Sequence, residues 1–355
     1  MIERPGVSQT WADGGSPASL PRIPRWKAVV GLLIAAGGLF AALQGWWMVT
    51  AAPGVQSAPR IVEIPPRLGL AGVARRLEEA GVIRGRLGFM ALAAALGSAR
   101  SLKAGEYEIG RGANALAILR QLAAGKVVQH PVVLREGSTL ADLARAMEAE
   151  RLAIADDVLR VARDPAFLRG LGIDAESLEG YLFPDTYQLV RGMTPEEMLT
   201  RMVVRMRDQI SAETHELARA RDLSAHQLLT LASIIEREAV DRKEMALISA
   251  VFWNRLKRDI PLQADPTVQY ALSKQGQALT KSDLQVDSPF NTYRRVGLPP
   301  GPIASPSRAA LDAAVRPAPV QYLYFVAMNE RQHRFSTTLA EHNAAVAQYR
   351  QTRAR

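Results

Sequence analysis

The chain contains one segment that an ordinary water-soluble fold does not accommodate. Residues Ala28 to Thr50 form a run of 23 residues without a single charged side chain. As a helix with a rise of about 1.5 Å per residue, the run would be roughly 35 Å long and could cross a bilayer. It is too long for the apolar part of a cleavable signal peptide and lacks the polar face of a core helix. We therefore expect a transmembrane helix at residues 28–50.

The charges around this segment predict its orientation. Arg22, Arg25 and Lys27 precede it, and no charge follows it until Arg60. The positive-inside rule then places the N-terminus in the cytoplasm and the rest of the chain on the other side. Residues 1–27 are rich in Pro, Gly and Ser, which predicts a disordered cytoplasmic tail, and residues 51–60 are interpreted as a linker.

An internal repeat predicts the fold of the next part. LGLAGVARRLEEA from Leu68 matches STLADLARAMEAE from Ser138, and each copy follows a strand-like run, at 61–64 and 132–134. Two β-turn-α units are expected, in a small α+β subdomain at 61–135. Residues 136–355 are interpreted as a larger, mostly helical domain with a short β-sheet, in which 322–327 pairs with 333–337. The predicted fold class is α+β.

Composition excludes several classes of function. Hydrophobic residues make up 48% and charged residues 22%, and the net charge of +9 is spread out, so no nucleic-acid partner is expected. The chain has no cysteine, and its five histidines show no metal-ligand spacing. The GxGxxA-like run from Gly110 to Ala115 lacks a βαβ context and is interpreted as a turn and helix start. We expect no metal and no cofactor.

The helix predicted at Ser224 to Val240 carries a carboxylate in an apolar position. Its inward stripe consists of Leu228, Leu229, Ala232, Ile235 and Glu236. Arg237 and Glu238 lie off that stripe and can face water, so the two glutamates are not equivalent. A carboxyl group among apolar neighbours has a raised pKa and can act as a general acid. The alternative is that Glu236 forms a structural ion pair, and helical spacing does not decide between the two.

Residues 179–187, EGYLFPDTY, interrupt the helical pattern. The run concentrates aromatic, acidic and hydroxyl side chains, a composition typical of carbohydrate binding. Glu179 and Tyr181 are the candidate substrate-binding residues. The alternative is an ordinary turn fixed by Pro184 and Asp185.

Several motifs together carry a family resemblance. In chain order they are EGYLFPDTY from Glu179, LASIIERE from Leu231, VFWNRL from Val251, LQADPTVQYAL from Leu262, FNTY from Phe290, GLPPGPI from Gly297, YLYFVA from Tyr322 and HRFSTTLAEHNAAV from His333. They extend over most of residues 60–350. The chain resembles the endolytic murein transglycosylases, or YceG-like family.

This resemblance implies an enzyme of the bacterial inner membrane whose catalytic domain, 136–355, lies in the periplasm. Its substrate would be the glycan strands of peptidoglycan, cut within the strand as they are made, and the cut would terminate elongation. Peptidoglycan synthases and the division or elongation machinery would be possible partners. The family also carries a LysM-like subdomain, which would correspond to residues 61–135. The glutamate in the family's helix motif would correspond to Glu236.

The reaction implied by the resemblance needs one catalytic carboxyl group. Glu236 would protonate the glycosidic oxygen, and its carboxylate would then deprotonate the C6 hydroxyl of the substrate, which closes a 1,6-anhydro ring. Polar candidates for stabilising the sugar cation, each of which could instead satisfy backbone groups, are Asn254, Gln263, Asp265, Asn291 and Tyr293.

Two other functions stay open at this point. A lysozyme-like hydrolase would need a second carboxylate, for which Asp265 is the best candidate. A non-catalytic scaffold of the cell-wall machinery would need Glu236 to be replaced or blocked.

Overall fold

The structure is a computed structural model that describes residues 24–50, 58–329 and 332–353. Most of the predicted tail (1–27) and linker (51–60) lies outside the described residues. The described chain forms two compact units. The first contains the described residues up to Val62 together with Gly69–Leu102 and Ile109–Ala124, and the second contains Glu63–Leu68, Lys103–Glu108 and the described residues from Gly125 onward.

Helices dominate the described part of the chain. In chain order they are α1 (Arg25–Thr50), α2 (Leu70–Glu79), α3 (Arg86–Ala95), α4 (Ala115–Ala124), α5 (Leu140–Ala149), α6 (Ala155–Val161), α7 (Pro165–Gly170), α8 (Pro195–Gln209), α9 (Ala212–Arg219), α10 (Ala225–Glu238), α11 (Met245–Leu256), α12 (Asp265–Ala271), α13 (Arg308–Val315) and α14 (Leu339–Arg353). Short 3-10 turns lie at Arg242–Glu244 and Asp283–Gln285.

The strands are short and pair two by two. They are β1 (Arg60–Ile64), β2 (Gly105–Ile109), β3 (His130–Val133), β4 (Thr186–Leu189), β5 (Tyr324–Ala327) and β6 (His333–Ser336). In the described residues β1 pairs with β2, β3 with β4, and β5 with β6. This mixture of helices and small sheets confirms the predicted α+β class, whereas the LysM-like assignment of residues 61–135 and the other domain boundaries stay predictions.

In the first unit, α1 confirms the predicted apolar helix and begins at Arg25, three residues before the expected start. Its apolar side chains are exposed, and the stretch Trp26–Trp47 is long and apolar enough to cross a membrane. The unit's own core is formed by α2, α3 and α4, which bury Val73, Leu77, Phe89 and Ile118.

The predicted β-turn-α repeats are confirmed, since β1 precedes α2 and β3 precedes α5. The second copy begins with a capping box in which Thr139 Oγ1 accepts the backbone N–H of Asp142 and the Asp142 carboxylate accepts the N–H of Thr139. Pro131 pairs with Gln188 of β4, and β3 has no second neighbouring strand in the described structure. Proline is found mainly in such edge strands, because it has no backbone N–H to donate to a second neighbour.

Helix α10 lies at the centre of the second unit. Ser224 caps it: the Ser224 Oγ accepts the N–H of Gln227, and the Gln227 side chain accepts the N–H of Ser224. All eight residues from Leu228 to Ile235 are buried, because α9, α11, α12 and α13 pack against different sides of the helix. Burial in this helix therefore extends beyond the predicted inward stripe to Thr230, Leu231, Ser233 and Ile234.

The predicted pairing near the C-terminus is also confirmed. Strands β5 and β6 are antiparallel, with Phe325 opposite Phe335 and Ala327 opposite His333. Both phenylalanines pack against the core that contains α10 and α11. This hairpin therefore brings the HRFS segment next to the end of the central helix.

Candidate active site

A cavity of about 400 Å³ lies at the C-terminal end of α10. It is lined by Glu238, Arg255, Leu262, Gln263, Asp265, Tyr293, Phe325, Val326, Ala327, His333 and His342. The last residue of α10, the first residue of α12 and the β5–β6 hairpin thus contribute to one site. Its volume lies in the range of small-ligand sites.

Glu238 is the acidic group of this cavity whose protonation is most altered. Burial raises its pKa to about 8, and the negative charge of Asp265 acts in the same direction. Its place at the negative end of α10 also disfavours a charged carboxylate. Glu238 therefore keeps its proton at neutral pH and can donate it. Glu238 lies off the predicted inward stripe of the helix; it is partly buried and lines this cavity.

Asp265 and Tyr293 form a polar pair beside Glu238. The Tyr293 hydroxyl donates a hydrogen bond to Asp265 Oδ1 at 2.5 Å. Burial, and then this contact with Asp265, raise the pKa of Tyr293, so it stays a neutral donor at any physiological pH. The pair places a carboxylate at the cavity in a fixed orientation.

Arg255 fixes the shape of the loop that follows α11. It is 7% exposed, and its guanidinium donates to the backbone oxygens of Leu323, Pro261 and Leu262 at 2.7, 3.1 and 2.8 Å. It also donates to Gln263 Oε1 at 3.1 Å. Burial lowers the pKa of Arg255 from its usual value. One cation therefore joins α11, the 261–263 loop and the start of the β5–β6 hairpin.

Thr292 holds the same loop from the other side. Its Oγ1 accepts the N–H of Ala264 at 3.0 Å and contacts Thr267 Oγ1 at 2.9 Å, and its backbone oxygen accepts the N–H of Gln263 at 3.0 Å. Gln263 has a φ of 52°, an unusual conformation for a residue other than glycine. Such strain persists where neighbours impose it, and it is common at functional sites.

This contact gives a stability prediction. Thr292→Val keeps the shape of the side chain but leaves the buried N–H of Ala264 without an acceptor, so we expect a loss of about 1–3 kcal/mol in the free energy of unfolding. The matched control is Ser249→Ala, because Ser249 Oγ is buried and has no hydrogen-bond partner among the described residues. Denaturant unfolding should show no loss for Ser249→Ala, and equal losses in both variants would contradict this account of the loop.

Glu236 lies outside the cavity that contains its expected partners. Its Oε2 accepts the backbone N–H of Ser307, the residue before α13, at 2.9 Å. Burial raises its pKa, and the nearby Glu136 adds to that effect while Arg242 opposes it. The acid role predicted for Glu236 stays a prediction, but Gln263, Asp265 and Tyr293 are gathered around Glu238 instead.

Asn254 and Asn291 also lie apart from the cavity lining. The Asn254 amide donates to the backbone oxygens of Val320 and Tyr322 at 2.9 Å. The fully buried Asn291 donates to the oxygens of Leu284 and Val286 and accepts the N–H of Tyr293 at 3.0 Å. These backbone contacts agree with the structural alternative given above, and a role of either residue in substrate binding stays a prediction.

Glu179 and Tyr181 line two other cavities, of about 640 and 590 Å³ respectively. Glu179 is 6% exposed and accepts the N–H of Leu140 at 3.0 Å, and burial raises its pKa to about 7. The Tyr181 hydroxyl lies 2.7 Å from Nδ1 of His226. The structure therefore separates the EGYLFPDTY residues from the cavity at Glu238.

Sequence reasoning missed Glu238, Arg255, His333 and His342 as site residues. The signals were present in the motifs, because Glu238 is the second glutamate of IERE and both histidines lie in HRFSTTLAEHN. Helical periodicity singled out the first glutamate, because periodicity shows which residues share one face of a helix. It does not show where segments distant in sequence form a cavity. Among the described residues no group of three or more histidine or acidic side chains could hold a metal ion.

Comparisons with known proteins place this chain in a family. The model of the YceG-like family matches residues 62–348. A Bacillus subtilis protein named endolytic murein transglycosylase is 33% identical over 304 residues, which cover 81% of this chain and 84% of that protein. A Streptococcus pneumoniae protein of the same name is 31% identical over 320 residues, which cover 81% of this chain and 58% of the relative.

A solved structure agrees with these sequence matches. It is a YceG-like protein from Listeria monocytogenes that is 35% identical, with a TM-score of 0.58, and the match covers 81% of this chain and 99% of that chain. The resemblance drawn from the motifs is thus confirmed, and the chain with the acidic cavity at the end of its central helix belongs to the YceG-like family.

Proposed function

We propose that this chain is an endolytic murein lytic transglycosylase in which Glu238 is the general acid. The observation that carries the proposal is the position of Glu238, a carboxyl group whose pKa is raised to about 8, in a cavity with Asp265 and Tyr293. The relatives named endolytic murein transglycosylase, at 31–33% identity over 81% of the chain, support the substrate class.

The chemistry follows from a protonated carboxyl group. Glu238 donates its proton to the oxygen that joins C1 of N-acetylmuramic acid to N-acetylglucosamine, and the C1–O bond breaks. The C6 hydroxyl of the same muramic acid attacks C1, loses its proton to a base, and closes a 1,6-anhydro ring. The Asp265 carboxylate stabilises the positive charge that develops at the sugar, since it lies in the same cavity and is oriented by Tyr293.

We further propose that α1 anchors the enzyme in the inner membrane. Its length and exposed apolar surface support a single crossing, and the basic residues before it support a cytoplasmic N-terminus. The folded units would then face the periplasm, where nascent glycan strands lie. A cut within such strands would end their elongation, and synthases of the division or elongation machinery would be the neighbouring proteins.

The raised pKa of Glu238 predicts how activity depends on pH. The acid is protonated, and therefore active, below a pH of about 8, and it loses its proton as the pH rises through that value. Above it, each further pH unit should lower kcat/KM about tenfold, as expected for one essential proton. A pH–rate profile of the full-length protein in detergent checks this, and constant activity up to pH 10 would contradict a general acid of this kind.

The endolytic pattern is tested on purified, uncross-linked glycan strands of known length. Cuts within strands should lower the mean strand length early in the reaction, before free disaccharides accumulate. Size-exclusion chromatography of a time course measures both quantities. Disaccharide release that accompanies the first loss of length would show an enzyme that works from strand ends and would overturn the endolytic part of the proposal.

A further inference from the structure

A second acid–base group shares the cavity with Glu238. Nδ1 of His333 lies 2.8 Å from Oε2 of Glu244, and the same carboxylate accepts the backbone N–H of His333 at 3.0 Å. Because an ionised carboxylate only accepts hydrogen bonds, Nδ1 carries a proton in this contact, and in the neutral form of the ring Nε2 is then the acceptor. The imidazole therefore presents a basic nitrogen for use at the cavity.

Packing fixes the orientation of this ring. The side chains of His333 and Glu244 are only 11% and 13% exposed. The His333 ring makes edge contacts with Phe325, at 5.4 Å between centroids, and with Phe335, at 6.4 Å. A ring held by two aromatic neighbours and a carboxylate loses little freedom when it binds substrate, which is how positioned catalytic groups are built.

Other charged and titratable groups face the same space. They are Glu238 at the end of α10, Asp265 at the start of α12, Arg255 in α11, Tyr293, and His342 in α14. Glu244, just before α11, does not line the cavity and is the group in hydrogen-bond contact with the His333 ring. The other histidine differs, because Nδ1 of His342 has no hydrogen-bond partner among the described residues.

We propose that His333 is the base that takes the proton of the C6 hydroxyl, and that Glu244 is its positioning residue; this inference rests on the proposed function. As Glu238 protonates the glycosidic oxygen and the C1–O bond breaks, the C6 oxygen forms a bond to C1 and its proton passes to Nε2 of His333. The products are a Glu238 carboxylate and an imidazolium that the Glu244 carboxylate stabilises. Transfer of one proton from His333 to Glu238 through solvent restores the enzyme, and no water is consumed.

The competing account gives both proton transfers to one glutamate. The two accounts differ in their pH profiles, since a separate base adds a loss of activity at low pH to the loss above pH 8. In His333→Gln we expect kcat/KM to fall about 10²–10³-fold, within the usual range for one acid–base group, and the low-pH loss to disappear. In Glu244→Gln the ring keeps an acceptor but loses the negative charge, so the low-pH limb should move to lower pH.

The experiment measures kcat/KM against pH for full-length wild type, His333→Gln, Glu244→Gln and His342→Gln, with thermal unfolding of each. Added imidazole should restore activity to His333→Ala at least tenfold, which a purely structural histidine would not allow. Retention of the low-pH limb in a folded His333→Gln, or its loss in His342→Gln alone, would overturn the proposal.

If the His333 variants do not fold, the pH profile of Glu244→Gln decides the question. A loss of activity that moves to lower pH than in wild type supports the proposal, and an unchanged profile overturns it. If wild type releases no glycan fragments, the proposed function fails, whereas an active wild type with an unaffected His333→Gln removes this inference alone.

Discussion

Replacing Glu238 by glutamine should lower glycan cleavage by about 10²–10⁴-fold, because an amide of the same size has no proton to give to the leaving oxygen. The fold should stay intact, since Gln is neutral and the native carboxyl group, with a pKa raised to about 8, is itself neutral at pH 7. Cleavage of murein by purified full-length protein measures the rate, and thermal unfolding measures the stability.

Glu236→Gln is the matched control, two residues away on the same helix. Its carboxylate accepts the N–H of Ser307 and does not line the cavity, so the variant should keep most of the wild-type rate. Loss of activity in Glu236→Gln with an active Glu238→Gln would return the acid role to Glu236, as periodicity first suggested, and would contradict our assignment.

The largest effect on stability is expected for Gly180→Ala. Gly180 has a φ of +76°, and a Cβ there would lie 2.2 Å from Cβ of Pro302 and 3.2 Å from the oxygen of Ala304. The first contacted atom belongs to the rigid ring of Pro302 and the second to the backbone of Ala304. Neither can move alone, so the loops at 180 and 302 would have to separate. Left-handed strain and overpacking together should cost about 2–5 kcal/mol in the free energy of unfolding.

Gly172→Ala separates these two causes. Gly172 has a similar φ of +65°, but a Cβ there meets nothing within 4 Å. It should cost only the strain, about 1–2 kcal/mol. Denaturant unfolding of both variants measures the difference, and equal losses would show that the contact between Gly180 and Pro302 contributes nothing.

The elements of this fold were largely predictable because their signals are local. Ser224 and Gln227 specify the start of α10, the repeat from Ser138 specifies a strand, a turn and a helix, and the run from Ala28 specifies an apolar helix. Each depends on neighbours a few residues apart, which a sequence shows directly.

The candidate site was predictable only in part, because it depends on which sides of a helix are covered. The candidates Gln263, Asp265 and Tyr293 line one cavity, and their role in substrate binding stays a prediction. Glu238 lies off the predicted inward stripe, and helical periodicity carries no signal for a cavity that distant segments form around the end of the helix. The approach of His333 from a hairpin some hundred residues later left no local signal.

The most direct test of the central claim is mass spectrometry of the glycan ends formed in water enriched in ¹⁸O. A lytic transglycosylase uses the substrate's own C6 hydroxyl, so we expect 1,6-anhydro-muramic ends without ¹⁸O from wild type and almost no new ends from Glu238→Gln. New reducing ends that accumulate in place of anhydro ends as strands are cut would show that water attacks C1. That result would contradict the account and indicate a lysozyme-like hydrolase, for which Asp265 is the candidate second carboxylate.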